Sequence, residues 1–299
     1  MIFNILVVGL GNIGMLYDYD RTDVTWTHVN AIMKDDRFNL VSGIDRNKEN
    51  RKKFYDLTGV TAHTDLEEVM ENIDNDIHIV VIACPTELHV EIYIQIKRFS
   101  KKCNCRLVVM EKPISDSQTQ LDNLIIEKKD GPEIIVNLFR LYQDNLNQCI
   151  KKLSKSGECN VSITYSKGLV HNGIHFVSLL LRHFGEDNIL SSELPTSNES
   201  IKYIFNGTEI TMTKSVSDID NNSMIINSSE GSLYYLNGGR HSFYIDKNHV
   251  KQNLSKPEFD HYQSGVYNSV YDHLINSKKD DSFKLAMVSQ RLLELSERE

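Results

Sequence analysis

The sequence has no apolar run long enough to cross a bilayer, no basic stripe, no CxxC cysteine pair and no internal repeat. Each absence removes a class of function. The apolar N-terminus, MIFNILVVGLGNIG, meets a glycine turn after too few residues for a membrane span and carries neither a basic leader nor a cleavage site. It is expected to be a buried strand, with no membrane partner. The 33 Lys and Arg residues are scattered among 41 Asp and Glu, for a formal net charge of −8. The basic surface that a nucleic-acid backbone requires is therefore missing, which excludes nucleic acid as a partner. Five cysteines, Cys84, Cys103, Cys105, Cys149 and Cys159, form no CxxC pair. Neither a disulfide framework nor a zinc site is indicated, and a reducing cytoplasm is the expected compartment. In that compartment triplets such as Asn198-Glu199-Ser200 carry no glycan.

What is present is the texture of two domains. A length of 299 residues suits two hydrophobic cores better than one. Residues 1–130 alternate short β-branched apolar runs (NILVVGL, NLVSGID, DIHIVVIACP, CRLVVMEKP) with amphipathic helical patterns, as parallel βαβ units do. The runs are nearly continuous, as expected of strands covered on both faces. After Gly131-Pro132 the pattern changes to EIIVNLFRLY, a helix and then long alternating stretches punctuated by NG, EG and NGG. Residues 131–299 are thus expected to be an α+β domain with a large, open, mostly antiparallel sheet, one face covered and one presented. The chain closes on two helical segments, YNSVYDHLINSKK and SFKLAMVSQRLLELSE.

The motif GLGNIG places Gly9, Gly11 and Gly14 between the first strand and a helix, with Asn12 and Ile13 inside the turn. In that context the first glycine makes the tight turn, the second lets backbone approach a pyrophosphate, and the third packs helix on strand. Exposed amides at the helix start then receive the anion. A second strand ends in Asp45, whose carboxylate suits an adenosine ribose diol and repels a 2′-phosphate, which favours NAD over NADP. Arg46 beside it pulls the other way, since a guanidinium pairs with that phosphate. The spacing from Gly14 to Asp45 exceeds the usual ~20 residues. The excess lies in MLYDYDRTDVTWTHVNAI, read as an insertion in which Tyr17, Tyr19 and Trp26 anchor a surface loop rather than cover the cofactor cleft.

Residues past the carboxyl ends of strands in an open α/β sheet are candidates for function. ACPTELH offers Pro85, Thr86 and His89; MEKPIS offers Glu111, Lys112 and Pro113. Taken together, GLGNIG, the strand-end Asp45, PTELH and EKP resemble the glucose-fructose oxidoreductase, inositol dehydrogenase and MocA family of NAD(P)-dependent oxidoreductases, over essentially the whole chain. The resemblance implies an N-terminal Rossmann domain binding NAD through Gly9, Gly11, Asn12, Ile13, Gly14, Asp45, Arg46, Pro85, Thr86, His89, Glu111 and Lys112. It implies Lys112 as a catalytic residue beside the nicotinamide.

It also implies a second motif, Asp-x-Gly-x-His, which falls on YSKGLVHNGIHFVSLLLRHFG. His175 takes the catalytic histidine's place, His171 stands where the family has aspartate, and Ser178 replaces an aspartate one turn later. Either His171 substitutes for the missing acid or the proton takes another path. A metal pair at His171 and His175 is disfavoured, because Asn172-Gly173 interrupts a continuous helix and no third ligand is in sight. His183, after the apolar run, is the expected core histidine, and His175 is expected to face the cleft. The implied reaction is hydride transfer between nicotinamide and a secondary alcohol or ketone of a sugar, nucleotide sugar or cyclitol. Lys112 and His175 would handle the hydroxyl proton and His171 relay it. Arg140, Tyr142, Tyr165, Lys167 and Asn172, with Lys112 and His175, are candidate substrate contacts, although Arg140 equally suits a brace of the domain junction. The sequence also resembles a branch of the family linked to bacterial surface-polysaccharide sugar biosynthesis. Other readings are a biliverdin-reductase-like or dihydrodiol-dehydrogenase-like reductase and a non-catalytic NAD-binding regulator. The open sheet face predicts a homodimer or homotetramer.

Overall fold

Runs rich in valine, isoleucine and leucine form the first sheet, as their continuity requires. The computed structural model describes all residues except 73–75, 157, 186–188, 194–199, 206–207, 216–220, 255–256 and 298–299. In chain order the first elements are β1 (Phe3–Val8), α1 (His28–Met33), β2 (Phe38–Ile44), α2 (Lys48–Thr58), β3 (Ala62–His63), α3 (Leu66–Asn72), β4 (Ile79–Ile82), α4 (His89–Phe99), β5 (Leu107–Met110), α5 (Gln118–Glu127) and β6 (Glu133–Val136). Then come α6 (Asp144–Leu153), β7 (Cys159–Tyr165), α7 (Ile174–Phe184), β8 (Ile189–Glu193), β9 (Ser200–Phe205), β10 (Thr208–Lys214), β11 (Ser223–Ser228), β12 (Gly231–Leu236), β13 (His241–Asp246) and β14 (Lys251–Asn253). Three helices close the chain: α8 (Pro257–Asp260), α9 (Tyr262–Asn276) and α10 (Ser282–Glu297). None of the described helices is long and apolar enough to cross a membrane.

The first unit comprises residues 1–137 together with 260–283, and the second 138–259 together with 284–299. The boundary expected at 130/131 thus lies at 137/138, and α9 returns to the first unit, a long-range event that local pattern does not announce. Within the first unit the six strands are all parallel, in the order β3-β2-β1-β4-β5-β6. In a doubly wound sheet of this order the connections reverse across β1 and β4, so the strand ends there border a crevice. β4 and β5 are buried along their whole length, as sheet faces covered on both sides demand. Tyr267 and Tyr271 of α9 pack edge-on against Phe38, and Tyr271 does so against Phe3 as well.

The second unit holds eight strands in the order β14-β13-β12-β11-β7-β10-β9-β8, with only β7 and β10 parallel. Alternation decides its faces. Val161, Ile163, Ile210, Met212, Met224, Ile226, Leu233 and Tyr235 are buried, while intervening residues such as Asn160, Ser162 and Glu209 are exposed. On the strands β12 and β13, Tyr234 and Phe243 stack at 4.7 Å, with the Lys251 ammonium 4.1 Å from the Phe243 ring. Helix α7 is apolar on nearly all sides and correspondingly buried from Ile174 to Leu181.

Candidate active site

Gly9 leaves β1 with φ +96°, and a Cβ there would stand 2.5 Å from the Cys84 nitrogen, where the chain leaves β4. Only glycine fits. At Gly14 a Cβ would lie 2.0 Å from the Gly9 carbonyl oxygen, so the turn closes on itself. Gly11 differs: nothing lies within 4 Å of its hypothetical Cβ. That open space over bare backbone is the cradle that a pyrophosphate requires. Among the described residues, the amides of Gly11, Asn12, Ile13 and Gly14 find no acceptor, as expected of a first helical turn aimed at an anion. The loop therefore fits a dinucleotide, and Asp45 completes the fit. Its carboxylate accepts from the Leu10 amide at 2.9 Å, the Asn47 amide at 2.7 Å and the Asn50 side chain at 3.0 Å. These contacts tie the end of β2 to the glycine loop and leave part of a carboxylate's acceptor capacity for a ribose hydroxyl. Arg46 is exposed at the next position.

The insertion has a simple geometry. Met15 donates to Gly11 as in a helix, the chain then departs, and His28 and Val29 donate to the carbonyls of Ile13 and Gly14 at 3.2 and 3.0 Å. The helix that follows the glycine turn is thus spliced, its first turn supplied by residues 11–15 and its remainder by α1. Asp18, 2% exposed, holds the excursion: it accepts from the amides of Trp26 (2.7 Å) and Thr27 (3.1 Å), the Thr27 hydroxyl (2.6 Å) and Asn30 (3.0 Å). Tyr19 donates to the Lys53 carbonyl of α2, and Arg21 sits 4.6 Å above the Trp26 ring. Tyr17 is 55% exposed. Tyr19 and Trp26 thus make anchoring contacts.

Past β4, Pro85 is exposed and Thr86 half-buried, whereas His89 is 1% exposed. Its ring nitrogens lie 2.9 Å from the carbonyl oxygens of Pro113 and of Cys84. Burial pushes its pKa down, and a neutral ring donates to only one of these carbonyls. His89 is accordingly a brace between two loops, not a group presented to a ligand. Burial likewise pushes the Cys84 thiol up to about 12, which makes it unreactive. Past β5, Glu111 is 7% exposed and Lys112 half-buried at the start of a cis Lys112-Pro113 peptide. Glu111 is held within the protein by His28 and Asn137.

In the second unit, β7 ends at Tyr165, and Lys167 (φ +59°) and Gly168 (φ +99°) turn the chain. Leu169–Gly173 is a π-helical turn, closed by the Ile174 amide on the Leu169 carbonyl, and it runs straight into α7. Asn172-Gly173 therefore does not break the helix as expected. The wide turn absorbs it, and a Cβ on Gly173 would stand 2.9 Å from the Leu169 side chain. Such turns recur at functional sites. His171 and Lys167 are exposed, Asn172 is half-buried with its amide on the Ser166 carbonyl at 2.8 Å, and Tyr142 is half-buried. Tyr165 is 6% exposed.

Two expectations change here. His175, not His183, is the more deeply buried histidine: it is 3% exposed with its ring 4.7 Å from that of Phe139, while half-buried His183 meets the Asn147 oxygen at 2.8 Å. The spread of turn and helix sends the end of the apolar run outward. Arg140 is 4% exposed, its guanidinium between the rings of Phe139, Phe176 and Tyr235, which makes it a brace inside the second unit and removes it from the substrate contacts. Ser178 is fully buried against Ser289 of α10, at 2.8 Å. Among the described residues no three His, Cys, Asp or Glu side chains are grouped to hold a metal.

Residues 3–137 match the model of the oxidoreductase family GFO_IDH_MocA with an NAD-binding Rossmann fold. The match falls on the first unit and gives it that family's NAD-binding Rossmann fold. The second unit follows the fold of solved relatives, to which the whole chain is similar. A 3-ketoreductase from Actinomadura kijaniata, solved with NADP and TDP-benzene, is 14% identical, with a TM-score of 0.75 and coverage of 100% of this chain and 98% of the other. The dehydrogenase MviM from Clostridium difficile is 17% identical, with a TM-score of 0.74 and 99% of both chains covered. The WlbA dehydrogenase from Chromobacterium violaceum, solved with NADH and UDP-GlcNAcA, is 15% identical, with a TM-score of 0.69 and coverage of 99% and 94%. At such identities the likeness establishes the fold. No curated protein sequence matches the chain.

For this family's oxidoreductase domain the cofactor is a nicotinamide dinucleotide. Missing from the sequence reading were His28, Asn137 and Tyr267, all in contact with Glu111 or with its partner. His28 opens a helix directly after an insertion, and its partner on α9 is 239 residues away. No local signal links them.

Proposed function

We propose that the protein transfers a hydride between nicotinamide and a secondary alcohol or ketone of a sugar, a nucleotide sugar being the favoured class. The observation that carries this is a lysine, Lys112, at the carboxyl end of β5 in a sheet whose β1 end bears a dinucleotide cradle. UDP-GlcNAcA bound by one structural relative, and the nucleotide ligand TDP-benzene bound by another, support the substrate class. Bound nicotinamide supplies the hydride acceptor or donor. In the oxidising direction Lys112, as the amine, takes the hydroxyl proton as the hydride leaves the carbinol carbon, and in the reducing direction its ammonium returns it. His175 is proposed to orient the reacting oxygen and His171, which is exposed, to exchange the proton with water. Tyr142, Tyr165, Lys167 and Asn172 are the proposed sugar contacts. Asp45 favours NAD over NADP. The presented sheet face, with its stacked Tyr234 and Phe243, is proposed to bury itself in a homodimer or homotetramer, and the free cysteines suit a cytoplasmic protein.

The test is a melting scan with NAD, NADH, NADP and NADPH separately, followed by turnover assays on nucleotide sugars. A ligand of the folded state raises the midpoint by mass action. A shift with NAD or NADH and turnover of a nucleotide sugar are expected, and Lys112→Met should lower kcat by about 10²–10⁴-fold while the NADH-induced melting shift persists. A shift with NADP or NADPH alone moves the ribose role to Arg46. Nucleotide binding without turnover across the panel favours a regulator instead.

A further inference from the structure

Four side chains from distant parts of the first unit meet behind β5. His28, fully buried, brings Nδ1 to 2.9 Å from the Tyr267 hydroxyl and Nε2 to 3.0 Å from Glu111 Oε1. Asn137, where β6 ends, donates its amide to the same Glu111 oxygen. A carboxylate only accepts hydrogen bonds, so His28 Nε2 donates to Glu111. Tyr267, His28 and Glu111 thus form one hydrogen-bonded chain. Its terminus directly precedes Lys112 in sequence.

Burial alone would push the Glu111 carboxyl up. The contacts to His28, the Lys112 charge and the Asn137 hydrogen bond outweigh it and hold the group below the usual carboxylate range. The titratable groups acting on Glu111 are His28 from α1, His89 from α4, Tyr267 from α9 and Lys112 beside it. Influence between two charges is mutual. A carboxylate that is stabilised by the Lys112 ammonium stabilises that ammonium in turn.

We propose that His28 is a positioning residue: with Tyr267 behind it, it fixes Glu111 as a carboxylate beside Lys112 and so sets the pH at which Lys112 releases its proton. This deepens the function proposed above and rests on Lys112 as its proton-handling group. The sign follows from charge. Without His28 the buried carboxylate keeps only the Asn137 donor and takes up a proton more readily; Lys112 then loses an opposite charge and deprotonates at lower pH.

Acylation of Lys112 by acetic anhydride across a pH series, quantified on its peptide by mass spectrometry, reads that release without substrate or cofactor. Glu111→Gln and His28→Leu should each move the midpoint down by about one pH unit or more. The double variant should go no lower than Glu111→Gln alone, because both changes remove one carboxylate charge. His28→Gln, which keeps a donor near the place of Nε2, should restore the parent midpoint. If His28→Leu does not fold by circular dichroism, Tyr267→Phe, expected to move the midpoint in the same direction, takes its place. An unchanged midpoint in folded Glu111→Gln, or shifts from positions 28 and 111 that add, overturns the proposal. Should the parent protein turn over no sugar, the functional reading falls while the acylation midpoints still decide the role of His28.

Discussion

Three glycines within one short turn fail in different ways when substituted, and the difference separates folding from binding. A methyl at position 14 meets a carbonyl oxygen at 2.0 Å, so Gly14→Ala must displace backbone; a methyl at position 11 meets nothing within 4 Å. Gly11→Ala is therefore expected to leave the melting midpoint without ligand within about 2 °C of the parent, as a surface change does, yet to fill the space that the pyrophosphate needs. Its NADH-induced melting shift should collapse. Gly14→Ala should lower the midpoint with no ligand present. Equal behaviour of the two variants in these scans would show that the loop is not the cradle described. At this scale the sequence was informative wherever a residue's role is local: Gly9, Gly11, Gly14 and Asp45 stand where strand, turn and second strand dictate. It was silent on His28 and Tyr267, left Arg140 open between substrate contact and brace, and did not foresee how deeply His175 is buried, because a side chain's neighbours across the fold decide its burial.

At the scale of elements, the spliced helix after β1 shows what pattern reading captures and what it cannot. Alternating and continuous apolar runs located the strands β1, β2, β4, β5 and β6, and the excess residues before α1 were legible as an insertion. That the two halves of the interrupted helix rejoin through backbone hydrogen bonds from His28 and Val29 is a tertiary fact. The π turn at Leu169–Gly173 was likewise out of reach, since Asn-Gly ordinarily argues against a helix. Asp18 is the fastening of the insertion. Asp18→Ala removes the acceptor from two backbone amides, a hydroxyl and a side-chain amide. Unsatisfied buried donors cost about 1–3 kcal/mol, so urea denaturation should report a loss of roughly 2–3 kcal/mol. A loss under about 0.5 kcal/mol, the range of ordinary surface changes, would mean that the loop is held elsewhere.

At the scale of the whole molecule, neither unit is a continuous stretch of chain. Residues 260–283 belong with 1–137, and 284–299 with 138–259. The change of texture near Gly131-Pro132 precedes the crossing at 137/138 by a few residues, and the return of α9 depends on Tyr267 and Tyr271 meeting Phe38 and Phe3, which no window of sequence contains. A fragment of residues 1–137 alone is therefore expected to lack cooperative unfolding, because it loses the aromatic cover of β1 and β2 and the hydroxyl that completes the His28 cluster. Adding residues 260–283 through a flexible linker should restore a sigmoidal melt and an NADH-induced shift. A 1–137 fragment that melts cooperatively by itself would refute the dependence.

The chain has a single tryptophan, Trp26, and it sits in the insertion of the first unit under the Arg21 guanidinium. Its emission is therefore a private optical channel on that unit, while calorimetry and circular dichroism record both. Comparing the two signals in one titration separates the melting of the nucleotide-binding unit from that of its neighbour, with no label attached.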